Sequence, residues 1–298
     1  MTAGPYERVL VAYKRTTYER YTDLDDVGLA ALIAQGDISV AALLASHDQH
    51  YASLARVTDH LDELQLPYDC LYRGEVRETN GHDLVISVGG DGTVLDLSHK
   101  LTHQPMLAVN SNPGRSYGYF CAGTADDFAE LLRRTLHAEW EPTRLMRFDV
   151  RIDGVSQQVP ILNDILVCHQ NPAAVSSYVL RVGEAEDEPQ KSSGIWISTA
   201  AGSTAAIRSA GGYVMPLESQ KIQYLVREPC PPNVGAYHHV KGIRDTAQRF
   251  EIVSKMPDGH VYLDGPHIGA RFGVGQVLTI DTDVPRLAIF GIESKIRD

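Results

Sequence analysis

Cysteine is scarce in this 298-residue chain: Cys70, Cys121, Cys168 and Cys230 stand far apart and form no CxxC pair. That spacing excludes a disulfide framework and a zinc knuckle, and it fits a reducing compartment. Any apolar run near the ~20 residues that a bilayer-spanning helix needs is also missing, so no membrane partner is expected. Met1 to Arg8 carries neither a signal-peptide core nor an Arg/Ser-rich transit pattern, and a cytoplasmic location is expected. Basic charge is in deficit, with 27 Lys and Arg against 38 Asp and Glu and a formal net charge of −11. A nucleic-acid surface needs clustered cations to neutralise phosphates, so no nucleic-acid partner is expected. A local glycine loop can still bind the phosphates of a small nucleotide inside an acidic protein. No Walker A lysine motif occurs, which excludes a P-loop site. Internal repeats and low-complexity tracts are absent too.

What is present reads as a soluble globular chain, 43% hydrophobic and 22% charged, long enough for one large domain or two ordinary ones. Buried-strand runs at Val9–Tyr13, Leu84–Val88 and Met106–Val109 alternate with helical patterns. The longest helical pattern runs from Val40 to Leu64, with Leu43, Leu44, His47, Tyr51, Leu54, Val57, His60 and Leu61 at helical spacing. Shorter ones cover Thr93 to Leu101 and a segment beginning near Thr124, where Thr124 and Asp127 resemble a capping box. Strands separated by helices imply a parallel sheet covered on both faces. After Pro142 the pattern changes to short strands punctuated by Gly, Pro and Asp-Gly turns, from Phe148–Ile152 through Ile161–Val167, Tyr178–Val182, Ile195–Ser198 and Phe250–Ser254 to His260–Leu263. That is the pattern of an antiparallel β domain. The acidic stretch Glu184 to Glu188 reads as a hairpin tip.

Gly89-Gly90-Asp91-Gly92-Thr93 lies directly between a buried strand and a helix. Glycines there let the backbone turn sharply and approach a ligand, while the helix N-terminus offers unpaired N–H groups to an anion. An aspartate beside a phosphate would repel it unless it accepts a proton from a hydroxyl nucleophile or helps hold Mg²⁺. The plainer alternative is that Asp91 or Thr93 only caps the helix. His238-His239 has no third ligand at a convincing spacing, so no metal site is read there. Cys121 reads as a small buried side chain.

Gly89 to Thr93 resembles the signature shared by NAD kinases, diacylglycerol kinases and phosphofructokinases, and further motifs point to the NAD kinases. Asn163-Asp164 stands where that family has an Asn-Glu pair. Ser198 to Ala206 is similar to its second glycine motif, Ser209-Ala210-Gly211-Gly212 continues it, and Asp264-Gly265 matches a late Asp-Gly. Lys14 to Glu19, Asn110 to Ser116, Lys191 to Gly194 and Arg227-Glu228-Pro229 resemble the mitochondrial-type branch. The matches run in order from residue 9 to about 265.

The resemblance implies an α/β Rossmann-like N-terminal domain with a parallel sheet (1–142) and a C-terminal antiparallel β-sandwich domain (143–284). A tail (285–298) would return to the first domain. It implies transfer of the terminal phosphoryl group of ATP to the 2′-hydroxyl of the adenosine ribose of NAD, with Asp91 activating that hydroxyl. Gly89, Gly90, Gly92 and Thr93 would hold phosphate, and Lys14, Asn110 and Arg115 would belong to the nucleotide site. Asn163, Asp164, Gly202, Ser203, Thr204, Ala205 and Asp264 would bind the dinucleotide. Mg²⁺ or another divalent cation would arrive with ATP, near Asp91. A homodimer is implied, with the apolar segment Gly211 to Pro232 as candidate surface and an ordinary inner strand at Ile222–Val226 as the alternative. The chain departs from the family in having Asp164 for Glu, Ala206 for a bulky aromatic, and Ala200-Ala201 for Pro-Thr. A superfamily kinase acting on a lipid or sugar hydroxyl, and a non-catalytic NAD-binding sensor, are the rival readings.

Overall fold

The computed structural model describes residues 6–23, 27–232 and 235–292. The chain divides into two units, one formed by the chain up to Arg144 with the segment from Leu287 onward, the other by Leu145–Arg286.

In the first unit β1 (Val9–Tyr13) leads through α1 (Thr17–Asp23), α2 (Val27–Gln35) and α3 (Ile38–Glu63) to β2 (Tyr68–Tyr72). Then come β3 (Leu84–Gly89), α4 (Asp91–Ser98), β4 (Met106–Asn110), β5 (Gly123–Thr124), α5 (Phe128–Leu136) and β6 (Thr143–Leu145). The strands run in the order β2-β1-β3-β4, all paired in parallel. β1, β3 and β4 are buried on both faces, which is why each reads as a continuous apolar run. The edge strand β2 is half-exposed and carries no such run, and neither it nor α1 and α2 is signalled in the sequence. Thr124 and Asp127 do bond, with the Asp127 carboxylate accepting from Thr124 N and Oγ1 at 2.8 Å each. They close a turn ahead of α5, which therefore begins at Phe128.

The second unit holds β7 (Asp149–Ile152), β8 (Val155–Ser156), β9 (Asp164–His169), β10 (Ser176–Val182), β11 (Glu188–Ser192) and β12 (Gly194–Ser198). A 3₁₀ turn (Ala201–Thr204) and α6 (Ala206–Ser209) precede β13 (Lys221–Arg227), β14 (Lys241–Asp245), β15 (Phe250–Ser254), β16 (Gly259–Leu263), β17 (Gly269–Arg271) and β18 (Val277–Asp281). They form two six-stranded antiparallel sheets, β11-β10-β15-β18-β7-β8 and β14-β13-β12-β9-β16-β17. Alternate residues of both sheets share one core: Tyr178, Leu180, Val182, Ile252 and Leu278 meet Ile165, Val167, Ile195, Ile197 and Val261. The expected sandwich is therefore present. β10 and β11 pair around the acidic tip as a hairpin, and Asp153-Gly154, both left-handed, turn β7 into β8.

For Ile222–Val226 the alternative of an ordinary inner strand holds. β13 lies inside its sheet, and Ile222, Tyr224 and Val226 belong to the sandwich core. Their apolarity is used within the chain, and only Tyr213 and Val214 of that segment's large apolar side chains stay exposed.

The last strand, β19 (Leu287–Ile289), enters the first unit's sheet between β4 and β6, with Ile289 level with Met106. Phe290 comes next at 1% exposure, edge-on to Tyr6 and stacked on Trp140. Residues 293–298 of the expected tail lie outside the described residues. No helix among the described residues is long and apolar enough to cross a membrane. Replacing Phe290 with Ala should destabilise the first unit by about 3–5 kcal/mol, the cost of a large core truncation. Urea unfolding within 1 kcal/mol (roughly the noise of a surface change) of the parent would show that β19 is not integral to that core.

Candidate functional site

β1 connects to β2 on one side of the sheet, and β3 then lies on β1's other side. The chain thus reverses strand order between β1 and β3. In parallel α/β sheets ligands bind outside the carboxyl ends of the strands at such a point. The loops that leave there are Lys14–Thr16 and the glycine loop Gly89–Thr93.

The three glycines of that loop have different causes. A Cβ on Gly89 would stand 2.1 Å from Thr93 Oγ1, and one on Gly90 would stand 2.7 Å from Ser116 Oγ. Gly89 is glycine because Thr93 crowds it from Oγ1 through Cβ, whereas at Gly90 only the movable Ser116 hydroxyl stands close. At Gly92 nothing lies within 4 Å of the added carbon, and the residue is exposed. Intramolecular packing does not demand glycine there, whereas a phosphate seated on the helix N-terminus would. Gly90 is the N-cap of α4, and no side chain caps the helix, so neither Asp91 nor Thr93 serves that purpose. The first-turn N–H groups of Asp91 and Gly92 consequently remain available to an anion. Asp91 is anchored by its carboxylate: Oδ1 accepts from Phe120 N at 2.8 Å and Oδ2 from Tyr119 N at 3.0 Å. Each oxygen keeps a second lone pair for a ligand proton.

Around this loop a buried polar net sets the backbone. Ser111 N donates to Gly89 O at 2.8 Å, and Ser111 Oγ pairs with His50 Nδ1 at 2.8 Å. His50 is wholly buried, and that burial, with the Lys14 charge nearby, lowers its pKa to about 4, so it is neutral at pH 7. Asn110 spends its amide on the next loop, donating to Ser116 O at 2.8 Å and accepting from Asn112 N at 3.1 Å. Arg115 lies exposed in that same loop.

In the second unit Asp264, in left-handed conformation, folds the start of β9 around its carboxylate. That carboxylate accepts N–H bonds from Leu162 and Asn163 at 2.7 Å and from Asp164 at 3.0 Å. The second glycine motif packs against the same corner. Thr199 N donates to Asn163 O at 2.9 Å, and a Cβ on Gly202 would meet that oxygen at 2.1 Å. Ser203 is buried and accepts from Met215 N. Thr204 and Ala205 are half-exposed and Ala206 exposed. Two buried acceptors stay without a protein partner here, Asn163 Oδ1 and Asp164 Oδ2. An orphaned buried polar atom costs about 1–3 kcal/mol, and ligand hydroxyls would relieve it. Burial first, and the neighbouring Asp264 charge second, raise the Asp164 pKa to about 7.

A family profile described as ATP-NAD kinase N-terminal domain matches residues 37–140. A protein named probable NADH kinase from Oryza sativa subsp. japonica is 38% identical over 236 residues, covering 72% of this chain and 73% of that protein. The chain belongs to the NAD kinase family. The NADH kinase of Arabidopsis thaliana is 35% identical, with 70% and 72% covered. Among solved structures, an NAD kinase from Archaeoglobus fulgidus in complex with ATP shares the fold, with TM-score 0.68 and 20% identity over 97% of this chain and 96% of that one.

Within this NAD kinase family chain, most of the site residues expected from sequence gather in two clusters, which do not include the exposed Arg115 or the half-exposed Thr204 and Ala205. Lys14, Gly89, Gly90, Asp91, Gly92, Thr93 and Asn110 meet at the carboxyl edge of the parallel sheet. Asn163, Asp164, Gly202, Ser203 and Asp264 meet at one corner of the sandwich. Sequence reading missed two residues of the first cluster. His50 sits on the buried face of α3 with Ser53, Val57 and Leu61, where a polar residue interrupts the apolar spacing. Arg73 succeeds the unpredicted strand β2, and its Nη1 donates to Gly92 O at 2.7 Å.

Gly92→Ala should stabilise α4 by about 0.5–1 kcal/mol, since alanine is the better helix former, while weakening ATP binding at least tenfold. A rise in unfolding temperature with unchanged calorimetric ATP affinity would refute the phosphate contact. Asp164, whose folded pKa lies above its unfolded one, stabilises most below about pH 4 and loses that contribution as pH climbs toward 7. Asp164→Asn should therefore gain on the parent by up to about 1.4 kcal/mol per pH unit across that window and level off above it. Parallel stability curves in urea between pH 4 and 8 would contradict the raised pKa.

Proposed function

We propose that this chain phosphorylates the 2′-hydroxyl of the adenosine ribose of NAD(H), taking the terminal phosphoryl group of ATP. The observation that carries the reading is Asp91. It is held by two backbone N–H groups at the head of a helix with unspent donors, in a chain of the NAD kinase family. NADH is the proposed preferred acceptor, because the plant relatives at 38% and 35% identity are both named NADH kinases.

Asp91 accepts the proton of the attacking hydroxyl, and its fixed carboxylate aims that hydroxyl at the phosphorus. The α4 N-terminus and Lys14 carry the phosphate charge, since positioning and neutralisation do most of the work in phosphoryl transfer. Asn163 and Asp164 bind dinucleotide hydroxyls through the oxygens that the protein leaves unpaired. Among the described residues no group of three His, Cys, Asp or Glu is placed to cage a metal. Mg²⁺ brought in with ATP would have Asp91 as the carboxylate at hand. Bound there, the ion neutralises charge on the transferring group.

The test is a coupled assay with ATP, Mg²⁺ and either NAD or NADH, separating NADP from NADPH. Both should form, with the higher kcat/KM on NADH, and Asp91→Asn should lower kcat by about 10²-fold or more, the scale of a lost general base. Formation of neither product would favour the non-catalytic sensor. A fully active Asp91→Asn would remove that residue from the chemistry.

A further inference from the structure

Tyr13 of β1 is level with Tyr72 of β2 and Val88 of β3, and Arg73 N donates to Tyr13 O at 2.8 Å. Arg73, Lys14 and Gly89 therefore leave three adjacent strands side by side at one sheet edge. The Arg73 guanidinium reaches across to α4. Its Nη1 donates to Gly92 O at 2.7 Å and lies 3.4 Å from Thr93 Oγ1, and its Nε is 3.3 Å from the Asp96 carboxylate. Nη2 has no protein acceptor among the described residues. Lys14 is half-buried and pairs with no carboxylate among the described residues. Burial, then Arg73 and Arg20, hold its pKa below the usual lysine value.

Like charges brought together in a partly desolvated corner disfavour each other unless an anion lies between them. Such convergence is not a by-product of composition in a chain of net charge −11. Open space stands in front of Gly92, beside the guanidinium that holds its carbonyl.

We propose that Lys14 and Arg73 form a two-cation clamp on the polyphosphate of the phosphoryl donor, with Arg73 also locking the Gly92 peptide that faces it. This deepens the kinase reading and rests on it for the identity of the donor. Arg73 Nη2 and the Lys14 ammonium take non-bridging oxygens of successive phosphates, a division that suits a forked guanidinium and a point-charge ammonium. The ligand class is a nucleoside triphosphate or another linear polyphosphate, and the acceptor dinucleotide is not recognised by this pair.

The experiment measures calorimetric binding of inorganic tripolyphosphate to the full chain, and then KM for ATP and for NADH. Variants are Arg73→Gln, Arg73→Lys and Lys14→Gln, with Arg77→Gln as an exposed control of equal charge change. Arg73→Gln and Lys14→Gln should each weaken tripolyphosphate binding about tenfold and raise KM for ATP alone. Arg77→Gln should stay within about twofold, the level of a rim charge. Arg73→Lys keeps a cation near Asp96 but loses the fork, so it should fold normally and still bind severalfold more weakly; it decides the matter should Arg73→Gln fail to fold. Wild-type affinity for tripolyphosphate in a folded Arg73→Lys and in Lys14→Gln overturns the clamp, as does a loss shared equally by KM for NADH. Arg73-dependent tripolyphosphate binding in a protein that makes neither NADP nor NADPH would leave the clamp standing and sink the kinase reading instead.

Discussion

A parallel sheet releases all its strands at the same edge, and most of this chain's chemistry depends on that constraint. β2, β1, β3 and β4 end within one residue of a common line, so Arg73, Lys14, Gly89 and Asn110 come out in a row. Residues far apart in sequence become neighbours without any special contact to bring them together. Beyond the edge the causes are local: Gly89 tightens the turn because Thr93 leaves no room for a Cβ, and α4 begins at once. The helix start then supplies donors, and the flanking strands supply cations. His50 steadies the arrangement from behind, bonded to Ser111 Oγ while Ser111 N holds the Gly89 carbonyl.

The second unit solves a different problem with one carboxylate. Asp264 takes three consecutive N–H groups at the start of β9, satisfying donors that no neighbouring strand reaches. That pins the Asn163–Asp164 backbone so firmly that their side-chain oxygens can be left unsatisfied. Gly202 closes the corner, where its missing side chain lets Asn163 O approach. The second glycine motif is glycine-bearing for packing reasons, whereas no neighbour among the described residues demands glycine at Gly92 of the first. Two motifs that look alike in sequence therefore differ in kind.

Much of this was legible in the residues. β1, β3 and β4 announce themselves as unbroken apolar runs because both faces are covered, and the sandwich strands announce themselves by alternation. The glycine loop was legible because glycine records the absence of a Cβ, which sequence shows directly. Less visible were elements stabilised by partners: the edge strand β2, which is half-exposed, and the short helix α1, where Thr16 N and Oγ1 bond to Glu19. Arg73 was hidden because its value comes from lying beside Lys14, a fact of register. The purpose of Asn110 was hidden for a similar reason, since only the fold shows its amide turned onto Ser116 and Asn112. The apolar segment through β13 reads in sequence either as surface to be covered or as an inner strand, and the sheet order, with β13 between β14 and β12, decides for the strand.

Asp164 stands where the resemblance leads one to expect a glutamate. A glutamate would carry its carboxyl one methylene farther out, whereas aspartate keeps it 6% exposed, beside the charge of Asp264. Burial and that neighbour bring its pKa to about 7, so near neutral pH the group is protonated in a large share of molecules. A protonated carboxyl donates as well as accepts, which an ionised glutamate cannot do. Beside the Asn163 amide it gives the corner both hydrogen-bonding senses, and a ribose hydroxyl also has both. The shorter side chain thus keeps its carboxyl buried beside Asp264, and the hydrogen-bonding capacity of this corner changes with pH near neutrality.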